Sequence, residues 1–356
     1  MAVQAPLAAN TLPSSPWRAV AGTVVLLTAI VSVLLTAFAW PSVRSSVHDV
    51  PIAVAGPAAA VEPVSTALRQ RLPDGFEITE VADTAAAERL MRDREVYGAI
   101  DASSGTPQVI IASAASAAVA QTLQSLATAL SQAQTQGTGT AVAVRDLVAL
   151  PADDPRGAGL AAGALPLVMG GLLAALLLAR LVRGTARRVT GALAFAITGG
   201  LTVAAILQFW LGSLNGDYWA NSGAIALTIA ATSLSILGLE SLLGSVGLGL
   251  GAVTMMLIGN PLSGAATAPE MLPGWSGTLG QLLPPGAGGQ LLRSTAFFEG
   301  HGATRPAAVL LIWLTLGLLL CLAGTLRARR TATVTAGPSE DGRITGLAYA
   351  SATRSS

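Results

Sequence analysis

The chain has 356 residues, 52% of them hydrophobic and only 11% charged, with a mean hydropathy of +0.62. Globular chains carry roughly 25% charged residues, so this composition excludes an ordinary soluble protein and points to a lipid bilayer. The net charge of +1 hides a split: residues 41–157 hold 8 Arg against 13 Asp plus Glu, a local net of −5, which excludes a basic nucleic-acid-binding face on the one polar segment.

Residues 1–17 are polar and contain Pro, and are expected to be a disordered N-terminal segment on the cytoplasmic side. Arg18 leads into the uncharged run Ala19–Ala39, long enough to cross a core of about 30 Å at about 1.5 Å per residue. Ala37-Phe38-Ala39 has the small-x-small form of a signal cleavage site, but signal cores run only about 7–15 residues. The reading is therefore a retained first transmembrane helix over 18–40, with Trp40 at the membrane interface.

Residues 41–157 read as a small α/β domain outside the membrane. Val50–Ala55 is a short apolar strand, Val61–Arg71 a helix, and Phe76–Val81 alternates as a half-buried strand does. Thr84–Arg94 is a helix with Thr84 as its possible cap. Val96–Asp101 and Gln108–Ala112 read as paired strands around a Ser/Gly/Pro turn at 103–107, followed by a helix over Ala115–Ala133 and a Gly/Thr linker near 135–140. Asp153 and Asp154 read as a solvated linker.

Residues 158–326 read as a transmembrane domain of five helices, since apolar runs of 18 or more residues with few charges are membrane spans. The expected spans are 159–179, 189–211, 222–239, 242–259 and 306–326. Between the first two lies RLVRGTARR at 180–188, the densest positive charge in the chain, and positive loops stay in the cytoplasm. That orientation puts residues 41–157 outside, along with the loop 212–221, which holds Asp217 and the interface anchors Tyr218 and Trp219. Residues 222–259 are too long for one crossing, at roughly 57 Å, and must turn back near Glu240–Gly244. Residues 260–305 then form an outer Gly/Pro-rich loop with short helical pieces. Arg327, Arg329 and Arg330 close the last span on the same side as the first arginine cluster, and 327–356 is expected to be a disordered cytoplasmic tail. The fold class is thus an α-helical polytopic membrane protein of six spans, with an α/β domain between spans one and two.

Chemistry is sparse. All twenty basic residues are Arg, and without a lysine there is no P-loop to hold a nucleotide. His48 and His301 are far apart and Cys321 is the sole cysteine, so no metal-ligand pattern exists. Gly274-Trp275-Ser276-Gly277-Thr278 is the nearest approach to a hydrolase signature, with His301, Glu270 and Glu299 in the same loop, but it lacks the second glycine; solvated loop residues are the favoured reading. Glu240 is a proton or ion site if buried at mid-bilayer, where it costs about 2.5–3.5 kcal/mol. The span arithmetic favours a turn in which it is hydrated or pairs with an Arg. Gly247-xxx-Gly251 allows close helix approach, either within the chain or at a dimer seam.

One span, an external α/β domain and five further spans resemble the plan of ABC-2 type transporter permeases, in particular the YhgE/Pip-like (phage infection protein-like) branch. VPIAVAG at 50–56 is similar to that family's opening strand, and AAAERLMRDREVYGAID at 85–101 to its helix-then-strand element. APEMLPGWSGTLGQLLPPGAGGQLLRSTAFFEG at 268–300 is similar to its loop before the last span. The resemblance implies a permease subunit of an ABC-type exporter in the cell membrane, not itself an enzyme, binding no cofactor of its own and drawing on ATP through a separate cytoplasmic ABC ATPase. It also implies a homo- or heterodimer of permeases, and a coupling loop formed here by Arg180, Arg183, Arg187 and Arg188. Those arginines equally serve to enforce topology alone. An apolar bundle favours a hydrophobic or amphipathic cargo. The rival readings are a membrane-anchored envelope receptor or scaffold whose external domain binds a partner protein, and an ion-coupled transporter, for which Glu240 is the single candidate residue.

Overall fold

A computed structural model of the chain describes residues 15–103, 107–135 and 142–335. Most of the N-terminal segment, most of the 103–107 turn, nearly all of the 135–140 linker and the tail beyond 335 lie outside the described residues. The first helix, α1 (Trp17–Arg44), precedes a sheet domain of β1 (Val50–Ala55), α2 (Ala58–Arg71), β2 (Phe76–Val81), α3 (Thr84–Arg92), β3 (Gly98–Asp101), β4 (Gln108–Ile111), α4 (Ala117–Thr135) and β5 (Ala143–Asp146). The remaining helices are α5 (Ala158–Leu181), α6 (Thr185–Ala205), α7 (Tyr218–Leu243), α8 (Ser245–Val253), α9 (Ser276–Gln281), α10 (Pro284–Phe297) and α11 (Thr304–Thr335). α6 and α8 each run on into a π-helical turn, Ile206–Trp210 and Thr254–Gly259.

The strands form one sheet in the order β2-β1-β3-β4-β5, with β3 and β4 antiparallel and every other pair parallel. The interior strand β1 is apolar along its whole length because helices cover both of its faces. Val50, Ile52 and Val54 pack with Val61 and Leu68 of α2 and Leu123 of α4. Ala53 and Ala55 pack with Ala87 and Met91 of α3. The edge strands β2 and β5 carry Glu77, Glu80, Arg145 and Asp146, charges that discourage pairing with another chain. α3 is capped by Asp83, whose carboxylate accepts from the Ala86 amide at 2.7 Å, rather than by Thr84. Strand β5 has no counterpart in the sequence reading.

Among the described residues, five helices are long and apolar enough to cross a membrane: 17–44, 158–181, 185–210, 218–243 and 304–330. The expected span at 242–259 is a helix of Ser245–Gly259, shorter than the roughly 20 residues a crossing needs. Gly244, at φ 64°, makes the turn that separates it from α7. α7 is the buried axis of the bundle. Its inward hydroxyls at Thr228 and Ser235 donate to carbonyls four residues back, and Ser235 also reaches the Trp313 carbonyl of α11. α11 lies directly on α7: a Cβ on Gly317 would stand 2.5 Å from the Leu234 carbonyl carbon, so only glycine permits this approach.

Three further points are refined. Residues 260–305 hold the expected short helical pieces, but the longest of them, α10, is buried and packs against α7, with Gly288 seated on Thr228. Arg327, Arg329 and Arg330 belong to α11, which continues to Thr335, so the tail begins as helix. Asp154 is no solvated linker: it is buried, and its two carboxylate oxygens accept from the Ala158 and Gly159 amides at 2.7 Å to cap α5. Asp217 caps α7 in the same way through the Ala220 amide. The chain is a polytopic helical membrane protein with a small α/β domain seated on one end of its bundle.

Candidate functional sites at the two ends of the bundle

At the end away from the sheet domain, α5 turns into α6 through Val182–Gly184. Arg180, Arg183 and Arg187 are exposed there and make no hydrogen bond or ion pair among the described residues. Arg188 differs. Its Nε donates to the Val182 carbonyl at 2.8 Å, one terminal nitrogen to the Ala179 carbonyl at 2.7 Å, and the other pairs with Glu240 at 2.9 Å. One guanidinium thus closes the turn and fastens it to the last turn of α7. Glu240 is half-buried in an ion pair at a helix end. Beside the turn lies a cleft of about 750 Å³, walled by Arg183, Arg187 and Arg329 on its polar side and by Leu318 and Leu322 of α11 on its apolar side. Gly247 and Gly251 face α7 within the same chain, against Leu239 and Ile236, so this pair is an intramolecular packing seam.

The other end is a joint between the sheet domain and the bundle. Ala268 and Met271 join one core of the sheet domain and Phe298 the other. The Ser46 amide donates to the Met271 carbonyl at 3.1 Å. Arg94 follows α3 in the left-handed conformation (φ 63°) that turns its side chain out of the domain. It donates to the Gln290 carbonyl at 3.0 Å, to Ser294 Oγ at 2.5 Å and to Gln290 Oε1 at 2.5 Å, and its guanidinium lies 5.2 Å from the centre of the Phe298 ring. Burial, and then the nearby Arg293, lower its pKa to about 10, so it stays charged at neutral pH. Tyr97 donates to Glu270 at 2.8 Å; burial and that carboxylate push its phenol well above the usual range.

The hydrolase candidates do not assemble. Ser276 is buried and donates to the Pro273 carbonyl at 2.7 Å, while His301 Nδ1 contacts Asp93 at 2.7 Å. No bond joins them, so no base reaches the hydroxyl. No group of three or more metal-ligating side chains occurs among the described residues. Sequence reasoning missed the Arg94 joint, because its partners lie about two hundred residues away, in a segment that reads as loop. Comparison with family models, with characterised proteins and with solved structures finds no match for the chain.

Proposed function

We propose that this chain is the membrane-spanning subunit of an exporter for a hydrophobic or amphipathic substrate, driven by a separate ATPase that docks on the arginine turn in the cytoplasm. The observation that carries this reading is the division of labour among the arginines. Arg180, Arg183 and Arg187 stand exposed and unpaired at the turn, Arg183 and Arg187 on the wall of a cleft, while Arg188 ties the same turn to Glu240 on the buried central helix. Force applied at the turn passes through Arg188 to α7, from α7 to α10, and through Arg94 to the sheet domain. A chain without a lysine has no nucleotide-binding loop of its own, so the energy comes from a partner. In this reading the subunit works as a dimer.

The test is co-purification. Solubilised from its native membrane, the chain brings down a nucleotide-binding subunit, and the triple variant Arg180→Gln, Arg183→Gln, Arg187→Gln loses that subunit while keeping its melting temperature. Equal recovery of the partner with the triple variant, or no nucleotide-binding partner at all, sinks the proposal.

A further inference from the structure

The joint between sheet domain and bundle holds more positive charge than it neutralises. Arg94 and Arg305 stand there with the carboxylate of Glu270, Arg293 lies close to Arg94, and Asp49 shares a neighbouring cleft with Glu270 and Arg305; none of the three arginines is in a salt bridge among the described residues. Arg293 is 7% exposed, lines a separate small cavity and donates from a terminal nitrogen to the Ala265 carbonyl at 3.3 Å; its Nε and that of Arg94 are buried without a hydrogen-bond partner. Buried polar groups are nearly always satisfied, and leaving a donor unpaired costs about 1–3 kcal/mol. Between the two halves of the joint opens a cleft of about 200 Å³, lined by Arg94, Arg305, Tyr97, Glu270, Gln281 and Gln290. Arg94 holds Gln290 by its amide oxygen, which leaves the amide nitrogen as a donor. Arg305 is exposed, without a partner, in the first turn of the long helix α11. A cation is misplaced against a helix N-terminus, where an anion is favoured.

We propose that this cleft binds a phosphate-type anion, with Arg305 and the Gln290 amide as its accessible donors and the charge of Arg94 and Arg293 behind them. Glu270 opposes the ligand and limits its affinity. Two sources share this chemistry. One is the phosphate of a lipid headgroup, since the cleft opens at the start of α11, where that helix would enter a bilayer; the other is a free phosphate or phosphate ester. The proposal does not depend on a motor docking at the opposite end.

The experiment is a thermal-shift and native-mass-spectrometry titration of the purified full chain in detergent, using inorganic phosphate, phosphatidylglycerol and phosphatidylcholine. The wild type is stabilised by phosphate or retains phosphatidylglycerol in preference to phosphatidylcholine. Arg305→Gln, a change at an exposed and unbonded side chain, weakens binding about tenfold. Glu270→Gln keeps an acceptor for Tyr97 and tightens binding severalfold. Displacement of the lipid by inorganic phosphate assigns the site to a free anion; retention of the lipid in excess phosphate assigns it to a headgroup. No stabilisation by phosphate together with equal or no retention of the two lipids, or indifference to both substitutions, overturns the proposal.

Discussion

Glu88 and Asp101 show how single charges hold the sheet domain together. The Arg145 guanidinium hydrogen-bonds Glu88 and, against a smaller effect of burial, holds its carboxyl below the ordinary 4.5. Burial raises Asp101, but hydrogen bonds from Ser103 and Thr84 outweigh it and leave the group below 3.8. Both carboxylates are more acidic folded than unfolded, so their stabilisation is complete above the unfolded values and is lost as pH falls through the folded ones. The melting temperature of the domain is therefore expected to decline below about pH 4.5, and Glu88→Gln to flatten the upper part of that decline. At the opposite end, Arg188 and Glu240 form a half-buried pair, and a double-mutant cycle with Arg188→Met and Glu240→Gln should return a coupling of about 1–2 kcal/mol, between surface and buried values. That Glu240 stands at a helix end could be argued from span lengths; which arginine meets it could not, because that depends on the tilt of α6 against α7.

Helices, more than residues, divide what could be read from the chain from what could not. Continuous apolar runs gave the long spans, and the uninterrupted β1 and alternating β2 gave the sheet its first strands. β5, with the sequence Ala-Val-Arg-Asp, is short and exposed throughout, so neither alternation nor an apolar run marks it. α10 was hidden by its composition. Pro284 and Pro285 read as helix breakers, yet they occupy the first turn, where proline is favoured. Gly286 and Gly288 read as loop, yet they let α10 lie on Gly280 and Thr228. Close seams of this kind make a sharp prediction: Gly317→Ala forces α11 away from Leu234 and is expected to cost about 1–3 kcal/mol. Gly223→Ala, on α7 with nothing within 4 Å of the added carbon, should be tolerated; thermal unfolding in detergent compares the two. Arg94→Ala removes three charge-assisted bonds and a ring contact from the link between α3 and α10. A loss of about 2–4 kcal/mol follows, with α10 and the sheet domain losing hydrogen-exchange protection before the rest of the bundle.

Across the whole molecule the parts form one line: arginine turn, buried α7, α10, Arg94, sheet domain. α1 stands beside that line with nearly its whole surface exposed, as a helix meant to face lipid does. The order of the five long apolar helices and the sheet domain was legible in the sequence, the sixth span expected at 242–259 being a shorter helix; the joint between sheet domain and bundle was not legible, since it is built from pairs about two hundred residues apart. The proposed function, a conduit driven from one side, requires the two ends of the line to lie on opposite sides of the membrane. With Cys321 replaced by Ser, single cysteines at the exposed positions Val144→Cys and Arg183→Cys can be probed in intact cells with a membrane-impermeant maleimide. Labelling of the residue-144 thiol from outside and of the residue-183 thiol only after the membrane is opened is the predicted result; labelling of both from the same side would contradict it.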